Sequence, residues 1–223
     1  MGKGYLGTPG LHSDAQVAGW KTVTDAVHAR GGQIVAQIMH AGRISDPSML
    51  PGMKDHVTPR ALEIGEIPDV IAEYAAATRR ALDAMIAVAG AGRVGIKLSP
   101  DMAFNDIADA NPQDTCRTLV SLIGPKGLAY VHVALFGGPF DYHSLLRPLV
   151  QGAYFAGGGL TQQAAAALVV SGQADAAVFG AAFIANPDLP ARFRTGAALA
   201  KPDQATYYVG GDKGYTDYPA LAA

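Results

Sequence analysis

Cysteine is almost missing from this chain: Cys116 is the only one in 223 residues. That excludes an internal disulfide and a zinc site built on paired cysteines, and it favours a reducing compartment. Charge is scarce too, at 16% of residues, with 17 Lys and Arg against 19 Asp and Glu. A net charge of -2 leaves no basic surplus to neutralise a phosphate backbone or an anionic membrane surface, so nucleic acid and membrane are excluded as main partners. No apolar run approaches the ~20 residues needed to span a bilayer, and the first residues carry no apolar signal region. Leu6 stands where a myristoylation signal needs Ser or Thr. These absences together predict a cytoplasmic protein. The six histidines form neither an HExxH pattern nor a cluster with carboxylates, which excludes a metal site. Gly-x-Ser-x-Gly, the Walker P-loop and a Gly-x-Gly-x-x-Gly after a strand are also missing, so hydrolase, nucleotidase and Rossmann readings lose their main supports.

What is present suits one sizeable core, since 49% of the residues are hydrophobic. Ser13 and Gln16 have capping-box spacing, and Val17, Trp20, Val23 and Val27 recur at helical intervals until Gly31-Gly32. A short β-branched run from Gln33 to Ile38 predicts a buried strand. Pro, Gly, Ser and Asp from Ser45 through Pro59 predict a long loop, and the stretch from Pro68 to Ala89 predicts one long helix. Further strands are expected at Arg93–Leu98, Leu128–Leu135, Ala153–Ala156 and Ala176–Phe179. Helices are expected after Asn111-Pro112, from Thr161 to Ser171, and after Asn186-Pro187, read as a cap. Five strands alternating with helices predict parallel βαβ units in an α/β fold, either an open sheet or a barrel.

Chemistry is expected at the carboxyl ends of those strands, where α/β proteins place their sites. Gln37 and Lys97 fall near such ends, an amide and an ammonium suited to a polar ring. Gly157-Gly158-Gly159 and Gly180 each lie between a strand and a helix, where backbone N–H groups can approach an anion. Each feature alone is more often structural: Gln37 satisfying backbone, Lys97 pairing with a carboxylate, the glycines making turns. His28 reads as a helix C-terminal cation and His132 as a structural polar residue within a strand.

Taken together these segments resemble the old yellow enzyme family of FMN-dependent ene-reductases. Gln37-Ile38-Met39-His40-Ala41-Gly42-Arg43 is similar to the family's Gln-Leu-Trp/Met-His-x-Gly-Arg motif. Thr58 through Leu62, Arg93 through Pro100, Gly180 through Leu189, and Gly214-Tyr215-Thr216-Asp217-Tyr218-Pro219 follow in family order. The resemblance implies a single domain over residues 1–223, an incomplete (β/α)8 TIM barrel with FMN at its carboxyl face. It also implies NAD(P)H as reductant and a small electrophile, such as an activated alkene, as acceptor. By the same resemblance Gln37 contacts the flavin's pyrimidine edge, and Lys97 replaces an arginine beside the flavin N1 region. Gly158, Gly159 and Gly180 hold the phosphate, Ala181 replaces the arginine that clamps it, and Met39 and Tyr215 line the substrate side.

The resemblance also exposes gaps. The family's first two strands have no counterpart after Met1, and its fourth, with a His-x-x-Asn-Gly-Tyr motif, is missing inside the chain. The catalytic residues are therefore unassigned, with Tyr142, Tyr215 or water left as proton donors. Five strands cannot close the usual barrel, so the remaining edges must stay open or be covered by self-association or another chain. The alternatives to a flavin enzyme are a degenerate scaffold acting through protein contacts and a simple phosphate-ligand binder.

Overall fold

The computed structural model describes residues 9–11, 13–37, 82–103, 109–207 and 211–221. They group into two compact units, Met1–Ala61 with Tyr208–Gly210, and Leu62–Tyr207 with Gly211–Ala223.

In the first unit the described element is helix α1, Asp14–His28. Ser13 starts it: its hydroxyl accepts from the Gln16 amide at 3.3 Å while the Gln16 side chain accepts from the Ser13 amide at 3.2 Å, satisfying two of the first turn's free donors. The helical reading holds from cap to terminus, but no residue of α1 is buried. Periodicity creates an apolar stripe without saying what covers it. Residues 32–37 correct the expected strand at 33–38: the described part is irregular. A β-branched run becomes a strand only where a neighbour takes up its backbone N–H and C=O groups.

The second unit holds a four-stranded parallel sheet in the order β1-β2-β3-β4, from Gly95–Leu98, Tyr130–Ala134, Ala153–Gly157 and Ala176–Val178. Helix α2, described over 82–89, precedes β1; the expected start of this helix at Pro68 lies outside the described residues. Each crossover carries a helix: α3 (Pro112–Ile123), α4 (Tyr142–Leu146) and α5 (Gln162–Val170), then α6 (Ala181–Ala185) and α7 (Leu189–Thr195) after β4. Asn111 caps α3 by accepting from the Asp114 amide, and Thr161 caps α5 by accepting from the Ala164 amide. The sequence did not signal α4, which is only five residues long. Asn186-Pro187 is a second correction. The cap of α7 is Asp188, while Asn186, fully buried, closes α6 and clasps Ala200 through both its amide oxygen and its amide nitrogen.

Register divides the sheet into two faces. Ile96, Val131 and Tyr154 align across the strands, as do Leu98, Val133, Ala156 and Ala177. These alternate residues, apart from Ala177, join Val120, Ile123, Tyr142 and Leu146 in the core on the helix-covered side. Tyr154 is held twice more. Its hydroxyl meets His143 Nδ1 at 2.9 Å, and its amide donates to Asp175 at 2.7 Å. The other row, Lys97, His132, Phe155 and Ala176, faces away from that core.

Candidate functional site

The site is built on this second face, toward the carboxyl ends of the strands. Lys97 is the third residue of β1 and is exposed. Its register neighbour His132 is half-buried, and beyond it Phe155 stacks on Tyr130 with ring centroids 4.7 Å apart. Burial, reinforced by the Lys97 charge, holds the His132 imidazole below the usual histidine range, so the ring is neutral at pH 7. Its Nε2 is buried and has no hydrogen-bond partner among the described residues. A Cβ at Gly157 would lie 2.5 Å from that nitrogen, so the missing side chain at 157 is what lets the imidazole lie against β3.

One residue further, Gly158 turns the chain out of the sheet at φ 94°, and a Cβ there would fall 1.9 Å from the Leu135 carbonyl oxygen. Only glycine fits. The Leu135 amide in turn donates to the Gly157 carbonyl at 2.9 Å, which carries the β2–β3 ladder one step past the strands. Gly159 follows at φ 66° with open space around its missing Cβ, and Gly180, at the end of β4, is open in the same sense. Gly180 starts α6 without a side-chain cap; its carbonyl accepts from the Phe183 and Ile184 amides, which leaves the Ala181 and Ala182 amides ahead of the intrahelical bonds. Glycines and uncapped amides at two adjacent strand ends suit a phosphate group.

Ala181 supplies no cation there. Arg192, the nearest arginine later in the chain, is committed elsewhere: it pairs with Asp188 at 2.7 Å and donates to the Ala198 and Pro219 carbonyls. Among the described residues, Lys97 is the cation in the sheet row that faces away from the core. It lies two and three strand spacings from β3 and β4, about 10 to 14 Å, so only an elongated ligand reaches both the ammonium and the glycine turns. A mononucleotide with a ring system at one end and a phosphate at the other has that form. The residues present therefore fit FMN, with a weaker hold on its phosphate than a clamping arginine would give.

The structure brings Lys97, Gly158, Gly159, Gly180 and Ala181 to one edge of one sheet. Gln37 lies in the first unit, on exposed irregular chain, and Met39 lies outside the described residues. Tyr215 is 43% exposed in the second unit. Tyr142 is corrected as a proton donor: it is 3% exposed in the helix-side core, and burial raises its pKa. A polar concavity of about 180 Å³, lined by Asp203, Thr206, Lys213, Gly214, Asp217 and Tyr218, includes no strand-end residue and falls below the ~300 Å³ of an ordinary ligand pocket. Among the described residues no His, Cys, Asp and Glu group could hold a metal, and no helix is long and apolar enough to cross a membrane.

Sequence reasoning missed Asp101 and Phe136. The Asp101 carboxylate, in the loop after β1, accepts from the Phe136 amide at 3.0 and 3.1 Å and from the Gly138 amide at 2.9 Å, in the loop after β2. No spacing rule links residues 35 apart, so only the strand pairing reveals the contact.

Known proteins are similar to this chain along nearly its whole length. The pattern of the NADH:flavin oxidoreductase / NADH oxidase family matches residues 1–89. A putative 12-oxophytodienoate reductase 12 of Oryza sativa subsp. japonica is 32% identical over 96% of this chain and 72% of its own length. A probable flavin mononucleotide-dependent alkene reductase of Leishmania infantum is 31% identical over 95% of this chain and 79% of its own. The rice alignment runs over 291 positions against 223 residues here, so the relative carries internal residues with no counterpart in this chain. Among solved structures, morphinone reductase shares 32% identity at a TM-score of 0.78, covering 99% of this chain and 80% of its own. The old yellow enzyme homologue of Zymomonas mobilis shares 27% at 0.81, covering 99% and 83%. Parallel sheet, strand-end glycines and near-complete coverage by these relatives lead to one conclusion: this chain belongs to the old yellow enzyme group of the NADH:flavin oxidoreductase / NADH oxidase family, whose members use FMN and NAD(P)H.

Proposed function

We propose that this chain is an FMN-dependent NAD(P)H oxidoreductase whose acceptor is an activated alkene or a similar small electrophile. The observation that supports the proposal is the placement of Lys97, near the carboxyl end of β1, at the same edge of the sheet as the Gly158-Gly159 and Gly180 turns. When bound, FMN would supply two-electron chemistry, accepting hydride from the nicotinamide and passing it to an electron-poor double bond. The chain's own residues do the positioning. Gly158 and Gly159 would let the backbone approach the phosphate, and the Ala181 and Ala182 amides at the start of α6 would donate toward it. The Lys97 ammonium offsets negative charge on the ring's edge as a point charge, without the planar fork of a guanidinium. Gln37 and Met39 belong to the same proposal by their motif, Gln37 as an amide partner of the ring and Met39 on the substrate side. With Tyr142 buried in the core, the proton that completes alkene reduction comes from Tyr215 or from water.

A specific feature favours a second reading, a flavin-free scaffold that acts through protein contacts. Ala181 leaves the phosphate without its charge-assisted contact, a loss of ~1.5 to 3 kcal/mol, or about one to two decades in affinity. One experiment separates the two readings. Purified protein is incubated with FMN, freed of unbound ligand, and its absorbance recorded. A retained, perturbed flavin band together with NADPH oxidation above the blank supports the enzyme. Colourless protein with NADPH oxidation at the blank rate selects the scaffold.

A further inference from the structure

The sheet face that bears Lys97 carries one contact to which the proposed function gives no role. His132 stands between Lys97 on β1 and Phe155 on β3 in register, and Phe155 is already stacked on Tyr130. The imidazole reaches the next residue of that row on β3, Gly157. A Cβ at 157 would fall 2.5 Å from Nε2 and 3.4 Å from Cε1, so the ring fills the space that any larger residue at 157 would need. Gly157 is the last residue of β3 and the first of the glycine run that leads to the phosphate turn. Its carbonyl accepts from the Leu135 amide at 2.9 Å, and the Leu135 carbonyl in turn closes on Gly158. The turn is therefore shaped twice from one neighbouring segment, by the His132 ring on the site face and by the Leu135 backbone just past the end of β2.

This contact is kept although it is destabilising in itself. His132 Nε2 is buried without a hydrogen-bond partner among the described residues, a cost that an apolar side chain of similar size would avoid. A local rule broken on the row open to a ligand is expected where a site is built. We infer that His132 is a positioning residue for the phosphate turn: its imidazole, packed on Gly157, fixes where Gly158 and Gly159 present their backbone, and so ties the Lys97 end of the site to the phosphate end. This role rests on the proposed function for the identity of the ligand. It adds that the phosphate's share of binding depends on a side chain of β2 that does not touch the phosphate.

The test compares FMN with riboflavin, which has the same ring system and no phosphate, by fluorescence titration of the full chain. His132→Ala weakens FMN binding about tenfold and riboflavin binding less than about twofold, because only the phosphate contact depends on a preorganised turn. His132→Gln, whose amide reaches the same space, restores most of the FMN affinity. Gly157→Ala drives its methyl into the imidazole and weakens FMN by a similar factor. The double variant of His132→Ala with Gly157→Ala is no weaker than either alone, since the methyl takes the space the ring has left. Gly95→Ala is the control: its Cβ meets the Tyr130 ring at 2.5 Å on the same face, away from the turn, and the FMN-to-riboflavin ratio stays within about twofold of wild type. Amide hydrogen exchange at Leu135 needs no flavin, and it speeds about tenfold in His132→Ala as the Gly157 carbonyl loses its fixed position. Equal losses of FMN and riboflavin in His132→Ala, multiplied losses in the double variant, or unchanged Leu135 exchange overturns this role, while a wild type that binds FMN keeps the proposed function. A wild type that binds neither flavin overturns both.

Discussion

The two faces of the sheet are written by alternate residues of the same strands, yet they differ in almost every physical respect. On the helix-covered face Val133, Tyr154 and Ala156 are fully buried, and the Tyr154 hydroxyl is paired with His143. On the other face Lys97 is exposed, Tyr130 and Phe155 are half-buried, and the His132 Nε2 has no partner among the described residues. The contrast teaches a division of labour. One face supplies the hydrophobic free energy that holds the sheet, and the other keeps polar and aromatic groups available where a ligand can use them.

The sharpest way to break that comparison is to truncate one residue on each side. Leu146→Ala, within the buried cluster, is expected to cost about 2 to 5 kcal/mol in urea unfolding. Lys97→Ala, on the exposed face, is expected to stay within about 0.5 kcal/mol of wild type while weakening FMN binding about tenfold. Similar unfolding costs for the two would erase the division.

The glycine turns sharpen it next. Gly158→Ala meets both a left-handed φ and the Leu135 carbonyl, and is expected to cost about 2 to 3 kcal/mol. Gly159→Ala meets open space at φ 66°, and is expected to cost only about 1 kcal/mol of backbone strain. Parallel thermal melts of the two variants decide whether close packing, rather than turn conformation, selects glycine at 158.

On the ligand side, Ala181→Arg restores a cation at the start of α6. FMN affinity should rise about 10- to 100-fold by fluorescence titration, with little change in stability. An affinity equal to wild type would show that the phosphate lies elsewhere.

The smallest expected effect concerns the two histidines, one on each face. Burial pushes the His143 imidazole below its ordinary 6.5, only partly opposed by Asp141. His132 is lowered by burial and then by Lys97. Because the unfolded chain binds the proton more readily, stability from both groups is fully present above pH 6.5 and is lost as pH falls through the folded-state values. Melting temperatures from pH 7.5 to 5 should therefore decline, with the decline reduced in His143→Gln and in His132→Gln. A flat profile in the wild type would remove both assignments.

Local signals in the sequence reached the structure wherever a cap or a turn decides the matter within a few residues. Ser13, Asn111 and Thr161 start helices where their spacing indicated, and strands appear within the runs 93–98, 128–135, 153–156 and 176–179, with β3 extending one residue further, to Gly157. The run 33–38 shows the limit of such signals, because strand propensity cannot supply a strand's neighbour. The same limit hid the role of Asn186, whose partner at Ala200 is 14 residues away. In the candidate site, Lys97 and the glycines were legible because each stands at a strand end. Asp101 and Phe136 were not, because their contact exists only once β1 and β2 lie side by side.

The sequence by itself determined the α/β class, the helix starts at Ser13, Asn111 and Thr161, the family and the glycines at the strand ends, all properties set by neighbours in the chain or by ordered motifs. The tertiary structure alone decided which alternate residues face the helices, that Tyr142 belongs to the core, that Arg192 serves the tail instead of a phosphate, and that Asp101 fixes Phe136. Those outcomes depend on register and on side chains meeting across tens of residues, and a linear pattern carries no record of that pairing.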